Sequence, residues 1–204
     1  AYYTGNEGCS NRSKNTNWFT GTIEKLREKL GIDSTHTRGN FIAKGTGQVD
    51  IYVHGNEMCM DVLLENIIGS VTFRILFDTS VIIRGQIQLN NILCNCIIEG
   101  SKANPGLKVG AVIKTPSTAL VARNCSSLAV LGMRAFCTTS SNSLNGFVFD
   151  NGTKARMDNC DINKFNACVY VGAQSYLSVF NCMGTGISYG TRLNTGSFAI
   201  FRGT

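Results

Sequence analysis

Ala155-Arg156-Met157-Asp158-Asn159-Cys160 returns 22 residues later as Leu177-Ser178-Val179-Phe180-Asn181-Cys182. In both copies the residues four and two places before Asn are apolar, while the places between admit Arg, Asp, Ser and Phe. That is the in-and-out alternation of a strand with one face in a core. A period of 22 residues leaves room for three short strands and three turns, which is one coil of a stacked repeat. Working outward, the Asn-Cys dipeptide also stands at Asn95-Cys96 and Asn124-Cys125, with Leu93 and Ala122 two places earlier and Asn91 and Leu120 four places earlier. The intervals of 29 and 35 residues between these dipeptides call for insertions of about 7 and 13 residues in a 22-residue coil. Loop chemistry stands ready for both, at 101–106 and 138–143.

The expected fold is therefore all-β: a right-handed parallel β-helix with coils of about 22 residues, loop insertions and a short N-terminal helix. Equivalent side chains of successive coils lie about 4.8 Å apart, so identical residues form ladders. Asn suits a corner because it tolerates the left-handed backbone and its amide bonds along the stack. Cys is small enough to fill the space behind it. On this reading Asn95, Asn124, Asn159 and Asn181 form one corner ladder, and Cys96, Cys125, Cys160 and Cys182 stack inside it. Stacked cysteines have parallel Cβ vectors, a poor geometry for a disulfide. Asn66, followed by Ile67, marks a fainter earlier coil, and 21 residues beyond Asn181 a last coil would place Phe198 and Ile200 inward, with Arg202-Gly203 replacing Asn-Cys.

Short β-rich runs fill the chain from about residue 40: 51–53, 71–77, 81–83, 111–113, 147–149 and 169–171, separated by Gly, Asn, Asp and Ser. Before them, residues 1–17 are polar and turn-rich. A helix is expected next, capped by Thr20 or Thr22, carrying Ile23, Leu26 and Leu30 on one face and stopped at Gly31, where it would cover one end of the β-structure. The domain division is 1–40 for this lead-in and helix, and 41–204 for the β-helix.

Composition agrees with short strands and many turns: 43% of residues are apolar and only 16% charged, with 22 Gly and 2 Pro. The net charge of +6 permits attraction to anionic surfaces or polysaccharides, but the basic residues are too scattered to indicate nucleic acid. Nine cysteines cannot all pair internally, no CxxC occurs, and the two histidines, His36 and His54, have no cysteine near them in sequence. That excludes a zinc motif, and buried free thiols formed in a reducing cytosol are expected instead. No metal and no cofactor is expected. No apolar run reaches the length needed to span a bilayer, and the first thirty residues lack the apolar core of a signal peptide, so neither membrane insertion nor secretion by that route is expected.

The four Asn-Cys corners and the strand alternation resemble the pectin-lyase-like right-handed β-helix superfamily, over roughly residues 60–204. Within it the chain is most similar to the β-helical part of a bacteriophage tailspike or tail fibre, given the free thiols, the uncharged polar surface and the helix ahead of the coils. The resemblance implies a homotrimer carried on a virion and assembled in the host cytoplasm. Its partners would be other tail or fibre proteins and a host cell-surface polysaccharide, which such proteins bind and often cleave.

Function needs residues as well as a fold. Glycan hydrolysis requires two carboxylates on one groove. Among Glu99, Asp150, Asp158 and Asp161, the pair Asp150 and Asp158 is the candidate because both are expected on the outside of one coil. A pectate-type lyase would need an acidic calcium cluster near an Arg base, and none is seen. Arg156 beside Asp158 reads as an exposed ion pair of small energetic worth. Sugar binding needs exposed aromatics and polar donors, for which Tyr176, Phe180, Phe201 and Arg156 are the candidates, with Tyr189 nearby. Phe180 and Phe201 are placed as outward equivalents one before the corner, where they could equally form a subunit interface. The sequence favours a structural and receptor-binding fibre segment, then a glycan-cleaving tailspike, then another β-helix enzyme or an adhesin.

Overall fold

The computed structural model describes residues 2–4, 41–54, 57–58, 62–77, 82–100, 111–139 and 143–203. The helix expected at 20–31 lies outside them. Following β1 (Tyr2–Thr4), the chain winds through β2 (Phe41–His54) and β3 (Glu57–Met58), then β4 (Val62–Phe77) and β5 (Ile82–Ile83), then β6 (Ile87–Gly100) and β7 (Val112–Thr115). The later coils have three separate strands: β8 (Leu120–Arg123), β9 (Ser127–Leu131) and β10 (Arg134–Cys137), then β11 (Asn145–Asp150), β12 (Lys154–Asp158) and β13 (Asp161–Asn163). Next come β14 (Ala167–Val171), β15 (Tyr176–Phe180) and β16 (Met183–Thr185), and finally β17 (Tyr189–Leu193) and β18 (Phe198–Arg202).

Every one of these strands pairs in parallel, and from β2 onward each pairs with its counterpart one coil away, giving a β-solenoid of about five turns. The three faces follow from the pairing. The first runs β6, β8, β11, β14, β17 and the second β6, β9, β12, β15, β18, both continuing down through β4. The third is β3, β5, β7, β10, β13, β16. Long β4 and β6 bend through the first two faces without interruption, whereas from β8 onward a turn separates them.

Period-two alternation sends one side of each strand inward, and the register stacks those side chains in columns. Ile75, Ile98, Val130, Met157, Val179 and Phe201 form one column on the second face. Leu64, Leu89, Ala122, Phe149, Val171 and Leu193 form another on the first. Phe77, Phe147 and Phe165 are fully buried in the core, as is Phe149 within the second of these columns. Each such side chain removed from water contributes about 2–3 kcal/mol, which makes these columns the main support of the fold.

The register also corrects the corner ladder. Asn124 does not stack on Asn95. Its Nδ2 donates to Asn91 Oδ1 at 2.8 Å, and Asn91 Nδ2 donates to Asn66 Oδ1 at 2.8 Å. All three have left-handed backbones, with φ of 52°, 55° and 57°, and Asn151 (φ 53°) continues this corner in the next coil. Asn159 and Asn181 belong to a second corner, between the second and third faces, where Gly132, Asn159, Asn181 and Gly203 follow in register with φ of 62°, 52°, 48° and 62°. Asn95 lies within β6 and pairs with Ser127, in neither corner. Its Nδ2 donates to Thr72 Oγ1 at 3.2 Å.

Separating the corners resizes the insertions. Paired residues stand 22 apart from β12 to β15 to β18, 27 apart from β9 to β12, and 32 apart from β6 to β9. Relative to the 22-residue coil the extra lengths are 10 and 5, in the intervals where loop chemistry was read. The last coil is also corrected. Val179 pairs with Phe201 and Leu177 with Ala199, so Ala199 and Phe201 take the inward positions while Phe198 and Ile200 face out. A shift of one residue in a strand reverses every side chain, and a spacing of 21 in place of 22 is that shift.

Candidate binding face

The outward side of β12, β15 and β18 carries three in-register columns: Lys154-Tyr176-Phe198, Arg156-Ser178-Ile200 and Asp158-Phe180-Arg202. This face brings together Tyr176, Phe180, Arg156 and Asp158. Phe201 is not among them, since it faces inward beside Val179 and remains 45% exposed.

Geometry decides what these groups offer. The Tyr176 and Phe198 rings stack at 5.6 Å between centroids, only 17° from parallel. Each therefore covers one face of the other and turns its edge outward. Phe180 has two cations over its ring, with the Arg156 guanidinium 4.9 Å from its centroid and that of Arg202, from the next coil, at 5.9 Å. The ring thereby holds two cations in place, an interaction worth about 0.5–1 kcal/mol each at an exposed site. Arg156 Nη2 also donates to Asp158 Oδ2 at 2.8 Å. With Arg156 57% exposed, that pair adds little stability. The Ser178 hydroxyl donates to Tyr176 Oη at 3.2 Å, ordering the polar edge of the strip.

The two proposed catalytic carboxylates are not brought together. Asp150 closes β11 at the first corner, where its Oδ1 accepts from the Asn151 amide at 2.9 Å. Its carboxylate lies over Gly172, where a Cβ would collide with it. Asp158 is the last residue of β12, at the far end of that strand from the corner that Asp150 occupies. Strand β12 alone spans roughly 13 Å at about 3.3 Å per residue, more than the roughly 5–9.5 Å that carboxylate pairs use in glycosidic cleavage. Glu99 pairs with Arg74 at 3.5 Å, and Asp161 lies 3.8 Å from Arg134 on the third face. Among the described residues no group of three or more His, Cys, Asp or Glu is placed to hold a metal, and no helix is long and apolar enough to cross a membrane.

The cysteines divide in the same way as the corners. Cys96, Cys125, Cys160 and Cys182 are all buried and free, but only Cys160 and Cys182 are neighbours in one column. Burial pushes the Cys94, Cys125 and Cys168 thiols up to about 11, and Cys96 and Cys160 well above the ordinary 9.0. Cys182 goes the other way. The Cys160 thiol bonded to its sulfur holds it below the ordinary range, and the Cys160 amide donates to the same sulfur at 3.4 Å.

One ladder has no counterpart in the dipeptide reading. Behind the first corner the Cys125 amide donates to Thr153 Oγ1 at 3.3 Å, and the Thr153 amide to Ser175 Oγ at 3.2 Å. Both hydroxyl residues are buried, and their spacing of 22 residues was the signal that could have found them. A cavity of about 430 Å³, lined in part by Met157, Cys168, Val179, Cys182 and Phe201, lies at the end of the inner columns. Comparison with protein-family models, curated proteins and solved structures finds no match to this chain.

Proposed function

We propose that this chain is a rigid, host-surface-binding segment of a fibre, of the kind built into bacteriophage tail fibres and tailspikes, and that it contacts polysaccharide through the strip on β12, β15 and β18. One observation carries the reading: an aromatic pair on two successive coils and two guanidinium groups against one ring share the outward face of a scaffold in which each strand is hydrogen-bonded to its counterpart in the neighbouring coil. Sites mounted on a regular ladder keep their spacing, as a repeating polymer ligand requires. A homotrimer with its free thiols buried, assembled in the host cytoplasm beside other fibre proteins, completes the proposal.

Binding without cleavage is the expected activity. Incubation with host capsule or lipopolysaccharide should retain the protein on the glycan and release neither reducing ends nor unsaturated sugars. Release of either would overturn the binding-only reading. Light scattering after size exclusion should give a trimeric mass, and a monomer would remove the fibre geometry. The strip itself is tested by Tyr176→Ser with Phe198→Ser. Loss of glycan retention at unchanged mass supports it, whereas a fall in mass would make the strip a subunit interface.

A further inference from the structure

We infer that the ligand of this strip is an acidic glycan, one whose sugars carry carboxylates; this rests on the glycan-binding reading above. Part of the aromatic surface on this strip is already taken up. Neutral sugar recognition uses open ring faces, but Tyr176 and Phe198 each cover one face of the other, and two guanidinium groups lie over the Phe180 ring. What points outward is cationic: Lys154, Arg156 and Arg202, against the single carboxylate of Asp158.

That carboxylate is already committed to Arg156. Arg202 has no ion-pair partner among the described residues, and its guanidinium lies over the Phe180 ring, 5.9 Å from the centroid. A guanidinium held over a ring keeps its in-plane N–H donors free, and the fork of two donors matches a carboxylate better than a single hydroxyl. Arg202 and Arg156 lie on strands two coils apart in adjacent columns, and both guanidinium carbons are within 5.9 Å of the Phe180 centroid, so their separation is at most about 11 Å. Acid groups repeated along a polymer could therefore meet both in one bound conformation, while Lys154 at the edge of the strip adds long-range attraction.

The test is calorimetric titration of the whole chain at low ionic strength with three probes: oligogalacturonate, the same oligosaccharide with its carboxyl groups reduced to alcohols, and polyglutamate of equal charge. The acidic oligosaccharide should bind at least tenfold more tightly than either of the others. Raised salt should weaken it, since the contacts are exposed. Arg202→Ala should lower its affinity about tenfold and Arg202→Lys by less, because Lys keeps the charge and loses the fork. Circular dichroism confirms that the variants remain folded. Equal binding of the reduced oligosaccharide would overturn the acidic ligand and leave the glycan reading standing. Equal binding of polyglutamate, or no binding of either sugar, would overturn both.

Discussion

The two asparagine corners solve one backbone problem by different means. Both use left-handed residues, Asn66, Asn91, Asn124 and Asn151 at the first and Gly132, Asn159, Asn181 and Gly203 at the second, and both keep the backbone bonds between coils, as from the Asn124 amide to the Asp150 carbonyl and from the Asn159 amide to the Phe180 carbonyl. At the first corner the side chains also bond along the stack, from Asn124 through Asn91 to Asn66. At the second, Asn159 and Asn181 stand between Gly132 and Gly203, and no side-chain hydrogen bond joins Asn159 to Asn181. Asn at the first corner is thus needed for its amide, and at the second only for its tolerance of positive φ.

The largest effect that can break this comparison comes from a β-branched residue. Asn124→Val should lose about 3 kcal/mol in urea unfolding, from left-handed strain and a lost amide bond, and Asn159→Val about 2 kcal/mol from strain alone. Equal losses would erase the difference between the corners. Thiol chemistry should separate them almost as strongly. Cys125, behind the first corner and pushed up to about 11, should react with iodoacetamide on the order of a hundredfold more slowly at pH 8 than Cys182 behind the second, by peptide-resolved mass spectrometry.

The same thiols predict alkaline sensitivity. A buried Cys94, Cys125 or Cys168 stays neutral when folded and ionises near 9.0 when exposed, so its contribution is full below pH 9 and is lost as pH rises to about 11. The melting temperature should fall across that window, and a Tm unchanged to pH 11 would contradict the burial of these groups. A smaller contrast comes from glycine. Asn159→Gly should change stability by less than about 0.5 kcal/mol because its corner already uses Gly132 and Gly203, whereas Asn124→Gly should lose about 1 kcal/mol with its amide bond. Smallest of all, Asp158→Asn should move stability by less than about 0.5 kcal/mol, since Arg156 is largely in solvent.

These differences also explain what the sequence made legible. The 22-residue spacing of Asn159 and Asn181 was read correctly because both lie at one corner of two coils without insertions. Asn95-Cys96 misled because it carries the same dipeptide in mid-strand, four residues past Asn91, the left-handed residue at which β6 passes from one face to the next. The true partners, Asn66 and Asn91, are each followed by Ile, a repeat of 25 residues that the Asn-Cys pattern concealed. Phe201 was turned outward by a one-residue error, although the spacing from Asn159 to Asn181 leads directly to Gly203, a residue equally suited to the corner. Of the proposed site, Tyr176, Phe180, Arg156 and Asp158 were legible as outward residues of paired strands. The stacking of Tyr176 on Phe198 was not, because it depends on that same final register.

It is the register that divides one apparent ladder into two. Side-chain amide cross-peaks in a nuclear Overhauser spectrum of labelled protein test it most directly. The structure predicts contacts from Asn124 to Asn91 and from Asn91 to Asn66, with none from Asn124 to Asn95. A cross-peak joining Asn124 to Asn95, with none to Asn91, would restore the single ladder and contradict the account.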